Sequence, residues 1–150
     1  MVDDIRTQVI GKIDTRFKAI LTTGGYKTNL GSNINWWKDL EKNPFQASEL
    51  PAANLKDSGS DPSPHAMGVD RHDMDIECNV FATTIAATRQ AIADIEKAIK
   101  VDLTWTALAL DTVLLADEID VNQLENKFFG AIVPFKVSYL TKMGDPYTQG

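Results

Sequence analysis

A chain of 150 residues with 43% apolar and 24% charged side chains has the length and make-up of one folded domain, which argues against a disordered or low-complexity polymer. A net charge of −6 argues against tight nucleic-acid binding, because phosphate contacts need Lys and Arg to displace condensed counterions. The single cysteine, Cys78, cannot form an internal disulfide, and no apolar run approaches the roughly 18 residues of a membrane-crossing helix.

The first residues, MVDDIRTQVIGK, put acids where a secretory leader carries bases, so the expected setting is the cytoplasm or a particle assembled there. Ile5, Val9, Ile13, Phe17 and Ile20 recur every three or four positions and predict an amphipathic helix from Asp3 to Leu21. Asp3 or Asp4 is placed to cap it, and TTGG at 22–25 ends it. The segment YKTNLGSNINWW, residues 26–37, alternates loosely and predicts one or two short strands interrupted at Gly31 and Asn33. In a strand, Trp36 and Trp37 point opposite ways, one to the core and one outward, which makes the pair a candidate contact surface.

ELPAANLKD, residues 49–57, predicts a further short strand with Pro51 at its start. The next stretch, SGSDPSPHAMG at 58–68, has the composition of a long mobile loop, and such loops in small domains are usually functional or disordered. Pro62, Pro64, His65 and Met67 are therefore candidate interface residues in a loop expected to order against a partner.

Val69 to Phe81 alternates as a strand, and Ile85, Arg89, Ile92, Ile95 and Ile99 follow with a helical period behind a cap at Thr83 or Thr84. Asp94 and Glu96 stand two apart on that helix and face differently, a spacing that suits solvation more than catalysis. DLTWTALALDT reads as a connector whose Trp105 covers one end of the core. DTVLLADE and KFFGAIVPFKVSYL read as two strands joined through IDVNQLEN, with Phe129, Ala131, Val133, Phe135, Val137 and Tyr139 on one face of the last. The order predicts a single α+β domain over residues 1–150: a mostly antiparallel sheet with two main helices packed on one face.

The stretch RHDMDIECNV, residues 71–80, gathers histidine, carboxylates and the cysteine, so its chemistry needs weighing. On a strand, His72, Met74, Ile76, Cys78 and Val80 point one way, and Asp73, Asp75, Glu77 and Asn79 the other. His72 and Cys78, six positions apart, are about 20 Å from one another on such a strand, too far to ligate one zinc ion. Two of the acids, about 7 Å apart at two residues' rise, suit Mg²⁺ or Ca²⁺ only if other segments supply the remaining oxygens. The chain carries no G-x-S-x-G, C-x-x-C, H-E-x-x-H or P-loop, and no metal, cofactor or catalytic residue is expected. A half-buried strand with a solvated acidic face is the simpler reading, and that face is also suited to line a channel.

Several segments, in order along nearly the whole chain, carry a resemblance to a known family: YKTNLGSNINWW after an amphipathic first helix, then ELPA, RHDMDIECNV, ADIEKAIKVDLTWTAL and VSYLTKMGDPY. The sequence is similar to the tail terminators, or minor tail proteins, of long non-contractile-tailed bacteriophages. That resemblance implies a non-enzymatic virion protein, assembled in the host cytoplasm. The resemblance further implies a homo-oligomeric ring, commonly a hexamer, on the last ring of the tail tube, which stops tail polymerisation and joins tail to neck. Its implied partners are copies of itself, the tail tube protein and a neck or head-completion protein, while DNA passes through without tight binding. Asp73, Asp75 and Glu77 are then candidate lumen-facing acids, whose repeated charge keeps passing DNA from adhering. Two other readings stand beside it: a head-completion or neck adaptor, and a small divalent-metal-dependent hydrolase using the acidic strand.

Overall fold

The first helix, α1 (Ile5–Lys18), starts where Asp4, in an extended conformation, accepts a hydrogen bond from the Thr7 amide at 3.0 Å. Its Ile5, Val9, Ile13 and Phe17 are buried along one stripe, as their spacing predicts, and Ile20 is buried just beyond the helix. The structure, a computed structural model, describes residues 2–121 and 128–150. In the second helix, α2 (Ile85–Lys100), the Thr84 hydroxyl caps the start by accepting from the Ala87 amide at 3.0 Å. Arg16 of α1 reaches the carbonyl-rich end of α2, its Nη1 lying 3.4 Å from the Ala98 oxygen, 3.5 Å from Ile99 and 2.5 Å from Asp102. A cation at that end satisfies acceptors the helix itself leaves open.

Among the described residues, seven strands form one sheet: β1 (Ile34–Trp36), β2 (Ala52–Ala66), β3 (Val69–Ala82), β4 (Asp111–Leu114), β5 (Glu118–Val121), β6 (Phe129–Lys142) and β7 (Asp145–Gln149). The main path runs β1-β2-β3-β6-β4, and β6 is its hinge of organisation. Along one side of β6 lies the whole of β3; along the other lie β5, β4 and β7 in succession. Only the β1–β2 pair is parallel among the described residues. This is the expected α+β architecture with two main helices. Met74, Ile76, Cys78 and Val80 from β3, with Ala131, Val133, Phe135, Val137 and Tyr139 from β6, form one buried cluster with the helix stripes.

Three local expectations are corrected. Residues 58–68 do not form a mobile loop: β2 continues through them to Ala66 and turns at Met67 and Gly68, where φ is 77°, into β3. The cause is a long-range one. β3 is paired to β6 from Val69 against Lys142 to Ala82 against Phe129, so it offers a fixed ladder to a segment whose Ser, Gly and Pro content does not favour strand by itself. Pro62 and Pro64 are tolerated because this stretch lies at the sheet edge, β1 covering only Ala53 to Leu55. Bulges between Asp57 and Gly59 and between Pro64 and Ala66 absorb the remaining irregularity. The short strand expected at 49–57 is thereby one of 15 residues.

Residues 26–37 bear out the expectation of one or two short strands with an interruption at Gly31 and Asn33: they give one strand of three residues after Leu30–Asn33 wind into a 3-10 turn that brings Gly31 against the Lys18 carbonyl, where a Cβ has no room. DTVLLADE is broken between β4 and β5 instead of forming one strand. IDVNQLEN accordingly begins as strand at Ile119, while its residues 122–126 lie outside the described residues. Asp94, expected in solvent, is buried at 3% exposure.

The connector after α2 does bury Trp105 completely, and it does so through an unusual backbone. Trp105, Thr106 and Ala107 have φ of 51°, 63° and 64°, three successive left-handed residues with no glycine among them. The Asp102 carboxylate ties the turn, accepting from the Thr104 hydroxyl at 2.6 Å and from the amides of Thr104 at 2.9 Å and Thr106 at 2.8 Å. These bonds, the Thr104 hydroxyl first, hold its pKa down to about 2 from an ordinary value of 3.8. Because the folded value lies below the unfolded one, this carboxylate stabilises the fold above about pH 4 and loses that contribution as pH falls toward 2. Asp102→Asn is expected to flatten the stability profile between pH 4 and 2, read as urea midpoints across that window; an unchanged slope contradicts the assignment.

Candidate functional site

The face of the sheet turned away from the helices is built by the alternation of β3 and by its register with three other strands. Met74, Ile76, Cys78 and Val80 are buried, while Asp75 is exposed and Asp73, Glu77 and Asn79 are half-exposed, so the two faces separate as the sequence predicts. Register then adds residues from elsewhere. Asp61 of β2, Asp73 of β3, Ser138 of β6 and Asp111 of β4 stand in one row across four strands. The adjoining row holds Gly59, Asp75, Lys136 and Val113, and the next holds Lys56, Glu77 and Pro134. One end of this face is covered: Phe45, 3% exposed, packs on Phe81 with ring centroids 5.5 Å apart, and Asn54 exchanges two hydrogen bonds with the Lys38 backbone.

The three candidate acids are not equivalent. Asp73 accepts from the Ser138 hydroxyl at 2.6 Å and from Arg71 Nε at 3.0 Å. Those donors, the hydroxyl foremost, hold its carboxyl below the usual range and commit it to the fold. Asp75 has one ion-pair partner among the described residues, Lys136 at 3.8 Å with both side chains about half exposed, a pair of little net worth in water. Asp75 and Glu77 are therefore the acids left to act on something outside the chain. His72 belongs to the opposite face, where it stacks on Tyr139 at 4.9 Å between centroids and meets the Thr141 hydroxyl at 2.9 Å. Cys78 is fully buried, which pushes its thiol pKa up and keeps it unreactive. Among the described residues no three His, Cys, Asp or Glu side chains stand where they could hold one metal ion.

The candidate interface residues fall in two groups. Trp36 packs against the core and donates to Asp14 at 3.1 Å, whereas Trp37, just past β1 with φ of 54°, is 57% exposed. Trp37 is nonetheless fixed, its indole N–H donating to Asp57 at 2.7 Å; Asp57 also receives Arg6 at 2.9 Å. A rigid exposed indole of this kind is suited to contact. Pro62, Pro64, His65 and Met67 are all exposed on the β2–β3 arm, and Met67 at its tip is fully so. The arm and Trp37 are thus brought onto one strand system, β1–β2, although 25 or more residues separate Trp37 from the arm in sequence.

Sequence reasoning missed Asp61 and Asp111 as members of the acidic face, because each joins Asp73 only through strand register. A period of two continued through Gly59, Asp61 and Ser63 is the one local signal that was there to find. No helix among the described residues is long and apolar enough to cross a membrane. Comparison of the chain with family models and with curated proteins finds no match.

Proposed function

We infer that this chain is a structural subunit of a phage particle, forming a ring, commonly of six copies, at the head-proximal end of a long non-contractile tail tube. There it stops tube polymerisation and joins tail to neck, with the tube protein and a neck or head-completion protein as partners. The observation that carries the reading is the hairpin arm. Its residues 60–68 are exposed and extend along an otherwise well-buried sheet, and its free edge is broken by Pro62 and Pro64. Proline lacks the N–H a further strand would need, so the arm offers apolar side chains and not ladder bonds, which suits seating on another subunit. The segment-by-segment resemblance supports the same reading.

In such a ring the open sheet face supports a DNA passage. It bears Asp61, Asp73, Asp75, Glu77, Asp111, Glu118 and Asp145 against Lys56, Arg71, Lys136 and Lys142, so it is net negative and repels phosphate. No cofactor and no catalytic step is asked of it.

The test is electron microscopy of tail tubes polymerised with and without the purified protein. A cap on one end and a fixed tube length are expected; decoration along the tubes, or none, overturns the reading. In assembled particles, Asp75→Lys with Glu77→Lys is expected to leave caps in place and impair DNA passage, and normal ejection removes the lumen role of that face.

A further inference from the structure

We propose that the β4–β5 edge of the sheet is a docking site for the helix layer of a second copy of this chain, a head-to-tail contact that closes the ring inferred above. The inference rests on that ring reading for its purpose, and on four features of this edge for its substance.

β4 and β5 pair only with β6, which leaves their other side without a strand partner among the described residues. The opposite edge of the sheet, along β2, is blunted by two prolines and two bulges; β4 and β5 contain neither device. Around this unguarded edge Leu110, Val113, Leu115, Ile119 and Ile132 each expose between 38% and 50% of their surface. Aliphatic side chains gathered beside a strand edge with no strand partner among the described residues constitute a contact surface, where single exposed ones do not.

Charge identifies the occupant. Residues 101–121 contain Asp102, Asp111, Asp117, Glu118 and Asp120 and no Lys or Arg, so two copies of this edge repel one another and a symmetric edge-to-edge dimer is disfavoured. The complement lies on the same chain. α1 carries Arg6, Lys12, Arg16 and Lys18 against Asp14, and α2 carries Arg89, Lys97 and Lys100 against Asp94 and Glu96. The helices are thus net +4 in a chain of net −6, and the remaining 120 residues carry −10. Lys12, Arg89 and Lys100 are exposed and join no ion pair among the described residues. Ala86 and Ala93, exposed between the cations of α2, let an edge approach closely. Covering an open sheet edge with a helix satisfies the same need that prolines and bulges meet on β2. Because the two patches differ, the contact is heterologous and propagates beyond two copies, closing into the ring inferred above when the rotation between copies returns to its start. It takes up the β4–β5 margin of the open face, with Asp111, Val113, Glu118 and Ile132, and leaves Asp61, Asp73, Asp75 and Glu77 free.

The test is sedimentation velocity of the full chain at low and high salt, with circular dichroism to verify that each variant is folded. The wild type is expected to associate beyond a dimer and to weaken with salt. Asp117→Lys with Glu118→Lys, or Arg89→Glu with Lys100→Glu, should each weaken association about tenfold or more, and all four changes in one chain should restore most of it. A wild type that stays monomeric at roughly 100-fold the concentration of a micromolar interaction, reversals without effect, or no recovery in the combined chain each overturn the proposal. A chain that caps tubes but meets any of those outcomes defeats the docking site alone. One that associates as expected but does not cap tubes defeats the functional reading alone.

Discussion

Trp105→Ala is expected to lower unfolding free energy by about 4 kcal/mol, the scale of a large aromatic removed from a packed core. The indole is completely buried, tilted against Phe17 at 6.4 Å between centroids, and lies under the Arg16 guanidinium at 3.9 Å. Its N–H donates to the Thr112 hydroxyl at 2.7 Å, which in turn donates to the Leu103 carbonyl at 2.7 Å. The truncation therefore leaves a cavity, an acceptor without its donor, and a cation without its ring. One effect opposes these: three left-handed residues cost on the order of 1 kcal/mol each, and freeing the turn releases part of that strain. It does not reverse the sign, since the cavity and hydrogen-bond losses together are larger. Trp105→Phe keeps a buried ring and forfeits the N–H, so about 1–2 kcal/mol is expected. Urea unfolding followed by circular dichroism separates the two, and an alanine variant that loses less than about 1 kcal/mol refutes the anchoring role.

What the sequence disclosed follows from the range of the forces involved. The stripe Ile5, Val9, Ile13, Phe17 and the caps Asp4 and Thr84 are local features, so both helices are legible from spacing alone. The faces of β3 are legible for the same reason. Residues 58–68 are not, because Ser, Gly and Pro there are held extended by β3, which β6 fixes from some 70 residues further along the chain. The charged rows of the open face share that dependence: Asp61, Asp73 and Asp111 meet only after register is set. The left-handed turn at Trp105 was equally hidden, since nothing in DLTWTA but a Thr-rich stretch behind Asp102 announces it.

Asp94→Ala is the second large effect expected, about 3 kcal/mol, and it concerns a residue whose position on α2 suggested solvent. The carboxylate lies against the segment that follows α1. One oxygen accepts from the Thr28 amide at 2.8 Å and the Thr28 hydroxyl at 2.7 Å, and the Lys27 amide reaches both oxygens at 3.1 and 3.2 Å. The Thr28 amide and hydroxyl are thereby satisfied in a place water does not reach, since Thr28 and Asp94 are 7% and 3% exposed, while Lys27 lies nearer the surface. Alanine removes the acceptor and leaves the Thr28 amide and hydroxyl buried without their partner, the costly direction of the hydrogen-bond asymmetry. Asparagine keeps one acceptor oxygen but turns an N–H₂ toward the other donors, so a smaller loss of about 1–2 kcal/mol is expected. The damage also has a predictable location. Thr28, Leu30 and Gly31 lead into β1 and Trp36, so hydrogen exchange in Asp94→Ala should accelerate across residues 26–37 before it does in β3 or β6. Uniform acceleration across the sheet would mean that Asp94 supports the core as a whole and not the segment that orients β1 and Trp37.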